Sequence, residues 1–175
     1  TSRFIDITKG EDRKVSDPGI AAPYKDSLVV KPEWLDENGH MNVAFYLRAF
    51  DDGGEVFFRD IGIGWDYTRE GNNTIFMTKC DLDFRRELLK DDPLEVTTQL
   101  IDWTPKLVHT YQALYHQKAG YFAASSETLF IHVAFADRKS IEMPPHVLVR
   151  LGEIATAHNA LPRPENLGSK IKIRR

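Results

Sequence analysis

Apolar residues recur along this chain in two rhythms, and the switch between them outlines a fold. The run Ser27-Leu28-Val29-Val30 stops at Pro32, which predicts a strand and then a turn. Trp34 to Met41 holds Asp36, Asn38 and Gly39, the chemistry of a loop. Asn42 is a good helix N-cap, and from there the apolar period becomes 3.6. Val43, Leu47, Phe50, Gly54, Phe57, Phe58 and Ile61 share one stripe, predicting a helix of about 18 residues that ends near Gly62 or Gly64. Gly53 and Gly54 in its interior each cost about 1 kcal/mol relative to Ala, so another backbone is expected to pack closely there.

Beyond the helix the rhythm turns to two. In Ile75 to Leu88, the residues Phe76, Thr78, Cys80, Leu82 and Phe84 share one parity. Leu94 to Trp103, Leu107 to His116 and Tyr121 to Ala136 follow as further strands, separated by turn residues such as Asp91-Asp92-Pro93 and Thr104-Pro105-Lys106. Short turns predict a four-stranded antiparallel meander. Pro144-Pro145 opens a second helix, Val147 to about Asn159. One long apolar helix must bury its stripe against one face of such a sheet, which is an α+β layer architecture.

Composition narrows the function. The 175 residues make about one domain. Basic residues number 23 and acidic ones 26, so no excess of positive charge is present to neutralise the phosphates of duplex nucleic acid. Cys80 is the only cysteine, which excludes a disulfide scaffold and a cysteine-built zinc site. His109, His116 and His132 fall on predicted strands at no metal-ligand spacing, so no metal is expected. No stretch approaches the roughly 20 apolar residues of a spanning helix, and the N-terminus has no signal-like apolar segment. No membrane association and a cytoplasmic, reduced setting are therefore expected. Residues 1–26 read as a polar arm, 27–160 as the domain with its C-terminal helix, and 161–175 as a basic tail. Lys170, Lys172, Arg174 and Arg175 in that tail are either solvated or in contact with an anion such as a nucleotide phosphate.

The stretch from Trp34 to Leu47 carries the chemistry. A short carboxylate loop runs into the N-terminus of a buried helix, where unpaired N–H groups and a partial positive charge suit a carbonyl that is becoming an oxyanion. Asp36 is close enough to act on whatever that terminus binds, and Gly39 lets the chain turn. Asn42 is chiefly the cap, and His40 reads as a loop histidine bonded to backbone.

Asp36-Glu-Asn-Gly39-His40-Met-Asn42, followed by an aromatic-rich helix with Tyr46, resembles the Asp-x-x-Gly-His-x-Asn motif of the hotdog-fold acyl-CoA thioesterases, in the 4-hydroxybenzoyl-CoA thioesterase-like branch. The resemblance spans about residues 27–140 and includes Asp83-Phe84-Arg85-Arg86 and Asp92-Pro-Leu-Glu-Val96. It implies an antiparallel sheet of about five strands wrapped around one long central helix, plus the C-terminal helix. It implies hydrolysis of an acyl-CoA thioester with no metal or bound cofactor, CoA being part of substrate and product. Asp36 matches the catalytic carboxylate, as nucleophile or general base. The Val43 backbone N–H matches the donor to the thioester oxygen, and Gly39 the turn glycine. His40 and Asn42 match positions that shape the loop and cap the helix.

A homodimer with strands paired edge to edge, and sites at the subunit boundary, is also implied. Arg85, Arg86 and Lys90 at one strand end, and Arg138 and Lys139 at another, are candidates for the phosphates of CoA, with a solvated rim as the plainer reading. One branch that the chain resembles cleaves betainyl-CoA, whose trimethylammonium group suits an aromatic box; Trp34, Trp65, Tyr67 and Trp103 are the large aromatics available, beside Tyr46, with core or dimer contacts as the plainer reading of most of them. Asp51, Asp52 and Glu55 lie on the long helix, and Glu55 is the second candidate base, because another hotdog group carries its carboxylate there. The same fold leaves two alternatives: an acyl-thioester hydratase or dehydratase using His40 with Asp36, and a non-catalytic acyl-CoA-binding protein.

Overall fold

In a computed structural model, residues 20–71 and 73–168 are described. Most of the polar arm and the basic residues at the C-terminal end lie outside them. Strand β1 is Tyr24–Val29, helix α1 is Val43–Asp60, and a short α2 is Trp65–Glu70. Strands β2 (Asn73–Phe84), β3 (Pro93–Trp103), β4 (Leu107–His116) and β5 (Phe122–Ala134) follow, and α3 (Pro145–His158) ends the order. β1 thus begins inside the stretch expected to be an arm. The short α2, unforeseen, fits between the end of the long helix and β2.

The five antiparallel strands lie in the order β1-β3-β4-β5-β2. The meander expected from β2 onward therefore holds only for β3 to β5. β2 ends at Phe84, not Leu88, and pairs with β5 at the far edge. The connector 85–92 explains the difference. Eight residues reach roughly 26 Å when extended, and three strand spacings are only about 14 Å, so the connector crosses beneath the end of the sheet. It is pinned there by Leu88, which is fully buried.

α1 packs on the inner face of the sheet, against β1 and β3 above all. Its buried residues are Tyr46, Ala49, Phe50, Gly53, Gly54, Val56, Phe57 and Phe58. The stripe is rotated from the expected one: Val43 is 62% exposed and Leu47 half-buried. The two helix glycines face side chains, not backbone. A Cβ on Gly53 would sit 2.5 Å from Val96 Cβ, and one on Gly54 would sit 2.7 Å from Gln112 Nε2. Gln112 is itself buried and donates to Phe50 O at 2.8 Å. Gly53→Ala is expected to destabilise the chain by about 1–3 kcal/mol despite Ala's better helix propensity, because a Cβ branch point has no rotamer into which it can retreat; urea denaturation measures it.

A bulge between Met77 and Lys79 shifts the β2 register. Ile75 and Met77 before it, and Cys80 and Leu82 after it, pair opposite the inner-face residues of β5, so Phe76 is turned to the other face and is 38% exposed. One inserted residue flips strand parity, which the single-parity expectation missed.

α3 closes the β3 side. His158 is buried; its Nδ1 accepts from Leu100 N–H at 2.9 Å and its Nε2 donates to Ala22 O at 3.2 Å. The segment 161–168, expected to be part of a tail, instead straps the outer face of the sheet. Asn166 accepts from Tyr111 Oη at 2.6 Å and donates to Ser125 Oγ at 2.8 Å.

Burial holds the pKa of His158 below the ordinary histidine value. Its neutral form is favoured in the fold, so the unfolded chain binds the extra proton first. His158 thus costs no stability above about pH 6.5 and destabilises progressively as pH falls below it. Thermal melts from pH 7.5 down to 5.5 should show a smaller loss of Tm in His158→Gln than in the wild type.

Candidate active site

The loop before α1 is organised by Asp36. Asp36 Oδ1 accepts from Asn38 N–H at 2.8 Å and from His40 N–H at 3.3 Å. Its backbone N–H donates to His40 O at 2.8 Å, and its carbonyl accepts from Gly39 N–H at 3.1 Å. Asp36 Oδ2 makes no hydrogen bond among the described residues. Gly39 has φ +80, and a Cβ there would meet nothing within 4 Å. Glycine is therefore needed for the backbone conformation and not for space. The fold-back pairs Leu35 with Met41, and Asn42 N–H donates to Trp34 O at 2.8 Å, which places Asp36 beside the helix entrance.

Asn42 caps α1 by accepting from Ala44 N–H at 3.0 Å. Val43 N–H, the first of the helix, has no partner among the described residues, and no acidic residue occupies the first turn. The positive end of the helix is thus left for an external acceptor.

The connector 85–92 forms the second wall. Met41 N–H donates to Leu88 O at 2.8 Å, and His40 bridges to Leu89. His40 Nε2 lies 3.3 Å from Glu87 Oε2, so its ring serves the loop–connector junction and does not pair with Asp36. Tyr46 is buried and meets Phe84 edge-on at 5.1 Å. Burial pushes its hydroxyl above the ordinary tyrosine value. Arg85, Arg86 and Lys90 ride on the same connector, all exposed. Arg85 pairs with Asp83 at 2.5 Å, Arg86 stacks on Tyr121 at 3.9 Å, and Lys90 lies 3.9 Å from Asp91. Arg138 and Lys139 sit at the other end of the sheet, beyond β5.

The proposed aromatic box is not assembled. Trp34 is a core residue, 3% exposed and stacked on Phe45. Trp103 packs against the α3 side of the core. Tyr67 is bound to buried His132 at 2.9 Å. Trp65 alone presents an open ring, 42% exposed, at the start of α2. Sequence reasoning placed these rings near loop or strand ends, but not on opposite ends of an 18-residue helix, which is about 27 Å long. It also missed Glu87 and Leu88, which follow a strand in sequence and carry no motif.

His109 pairs with Glu127 and His116 with Asp92. Among the described residues, no group of three or more His, Cys, Asp or Glu could hold a metal, and no helix is long and apolar enough to cross a membrane.

A five-stranded antiparallel sheet around one long helix, with a carboxylate loop at that helix's N-terminus, is the hotdog architecture of thioester enzymes. The sequence matches the Thioesterase-like superfamily over residues 30–151. The chain belongs to that superfamily and is a thioester hydrolase. It is 35% identical over 144 residues to a betainyl-CoA thioesterase of Pseudomonas aeruginosa, covering 82% of this chain and 91% of that protein. It is 28% identical to an L-carnitine dehydrogenase/betainyl-CoA thioesterase of Rhizobium sp., covering 79% of this chain but only 28% of that longer protein. Among solved structures, a hypothetical protein of Staphylococcus aureus in complex with CoA superposes with a TM-score of 0.78 at 24% identity, covering 86% of this chain and 94% of that one. The DHNA-CoA thioesterase of Staphylococcus aureus superposes at 0.72 with 12% identity, covering 77% and 92%.

Proposed function

We propose that the chain hydrolyses acyl-CoA thioesters, betainyl-CoA foremost, at the Asp36–Val43 loop. One observation carries the assignment of residues: an unpaired helix-terminal N–H beside a carboxylate with one oxygen anchored and the other unengaged. Asp36 Oδ2 takes a proton from a water that adds to the thioester carbonyl, or adds to that carbon itself. In either route the carbonyl oxygen becomes an oxyanion facing Val43 N–H, worth about 10²–10³ in rate for one such donor. Collapse breaks the C–S bond and expels the CoA thiolate, which takes up a proton. In the second route water then cleaves the acyl–Asp36 anhydride. The thiolate is a good leaving group, so the route needs neither a strong acid nor a resident metal or cofactor. Arg85, Arg86 and Lys90 stand at the rim where the phosphates of CoA would pass. The betainyl group is favoured by the 35% identical relative.

The dimer belongs to the same proposal. β2 is a 12-residue edge strand that exposes Phe76 and Met77, and a long apolar edge requires cover. Antiparallel pairing with its mate supplies it. Sedimentation equilibrium is expected to return twice the chain mass, and Phe76→Lys to shift the distribution toward monomer.

A panel of acyl-CoAs that includes betainyl-CoA and aryl-CoAs, followed by a colorimetric thiol reagent, tests the activity. Release of free CoA from betainyl-CoA is expected. Tight binding of every member with no thiol released would replace hydrolysis with a binding role, and hydration of an enoyl-CoA without thiol release would replace it with a hydratase.

A further inference from the structure

A cavity lies between the middle of α1, the start of α2 and the edge strand β2. Its volume is about 380 Å³, and its walls include Asp51, Glu55, Phe58, Trp65, Met77 and Phe130. Two rings, an open indole and a thioether make an apolar wall, and the helix adds two carboxylates to it. Charge compensation around them is incomplete. Asp52 pairs with Arg48 at 2.8 Å, Arg69, the one cation on the cavity wall among the described residues, pairs with Asp66, and Glu55 Oε1 accepts from Trp65 N–H at 2.9 Å. Asp51 has neither a hydrogen bond nor an ion pair among the described residues. Partial desolvation raises the carboxyls of both Asp51 and Glu55 above their ordinary values; the charge of Asp52 adds to the effect at Asp51, while Arg48 opposes it at Asp51 and Arg59 and the Trp65 N–H oppose it at Glu55.

We infer that this cavity receives the quaternary ammonium end of the acyl group, with Asp51 and Glu55 supplying the counter-charge and Trp65 the ring face. A cation sheathed in methyl groups fits such a wall. Its methyls meet Phe58, Phe130 and Met77, and its charge meets the carboxylates and the indole. It has no N–H to satisfy, which suits a site where Glu55 Oε1 is already engaged. A neutral acyl group would gain nothing from the two carboxylates, and an anionic one would be repelled.

The inference rests on the thioesterase reading and adds a condition to it. Val43 and Asp51 are eight residues apart on α1, about 12 Å along its axis. The ammonium of a betainyl group stands only two bonds from the thioester carbon, so the cavity of one subunit cannot serve the loop of the same subunit. Antiparallel pairing of β2 with its mate runs the two central helices antiparallel. The Glu55 half of one then lies beside the Val43 end of the other. Each site takes Asp36 and Val43 from one subunit and Asp51, Glu55 and Trp65 from its mate.

The test compares kcat/KM for betainyl-CoA and for tert-butylacetyl-CoA, which has the same shape without the charge. The wild type is expected to prefer the cation by about tenfold or more, and Asp51→Asn and Trp65→Leu each to reduce that ratio by about tenfold, with Trp65→Phe retaining most of it. Asp51 bonds nothing in the fold, so its variant stays folded. In heterodimers of an Asp36→Asn chain with an Asp51→Asn chain, the wild-type ratio should return, because one of the two sites is then intact. An unchanged ratio in both Asp51→Asn and Trp65→Leu, with the neutral thioester still hydrolysed, overturns the cation site and leaves the thioesterase reading standing. No thiol from either substrate overturns both.

Discussion

Asp36→Asn is expected to lower kcat by at least about 10²-fold on any acyl-CoA that the wild type hydrolyses, with little change in KM or in melting temperature. Asparagine keeps a side-chain oxygen where Asp36 Oδ1 accepts from Asn38 and His40 N–H, so the loop is retained. What changes is the other end of the group: an amide nitrogen replaces Oδ2, and it can neither take a proton from water nor attack a carbonyl. The loss belongs in kcat because the carboxylate acts on the reacting centre and not on the distant nucleotide of CoA. Circular dichroism and a thermal melt separate this outcome from unfolding. A folded Asp36→Asn protein with full activity would move the base to Glu55, and Glu55→Gln would then be the variant that loses kcat.

Much of this site was legible in the sequence because its parts are local. Asp36, Gly39, Asn42 and Val43 lie within eight consecutive positions, and a turn glycine followed by a cap and a 3.6 rhythm can be read without knowledge of tertiary contacts. The central helix was placed to within two residues for the same reason. The order of the strands was not legible. Whether residues 85–92 turn back or cross under the sheet depends on where Leu88 is buried, and no pattern within eight residues distinguishes the two. The parity of β2 failed at a single bulged position, Thr78, which alters every face assignment upstream of it. Which of the aromatics are core and which is open was not legible, because Trp34, Trp65 and Tyr67 look alike in composition. Only the packed fold buries the first, ties the third to His132 and leaves the second open. The carboxylates of α1 were likewise recognised as a group, but that Asp51 is the one without a hydrogen bond or ion pair among the described residues appears only once Arg48 is seen to bind Asp52 and Arg69 to bind Asp66.

Leu88→Ala is expected to have the largest effect on stability, and to impair catalysis without touching a reacting atom. Leu88 is fully buried in the cluster that holds Trp34, Met41, Tyr46 and Leu94. Removing a buried leucine side chain costs about 2–5 kcal/mol, the upper end applying where the surroundings cannot collapse. Collapse is restricted here, because the Leu88 backbone is tied to the loop: its carbonyl accepts from Met41 N–H at 2.8 Å. That same bond sets the height of the loop that carries Asp36 above the helix terminus. A cavity beneath the connector would loosen that setting, and misplacement of a reacting group by about 1 Å can cost 10²-fold in rate. Urea denaturation should therefore show the loss of stability, and kcat/KM measured well below the melting midpoint should fall by more than the unfolded fraction accounts for. Leu89 on the same connector is 45% exposed, so Leu89→Ala should cost less than about 0.5 kcal/mol and leave the rate near that of the wild type. If Leu88→Ala loses stability but keeps the wild-type kcat/KM in its folded fraction, the connector is only a piece of the core, and the loop holds Asp36 in place by its own turn.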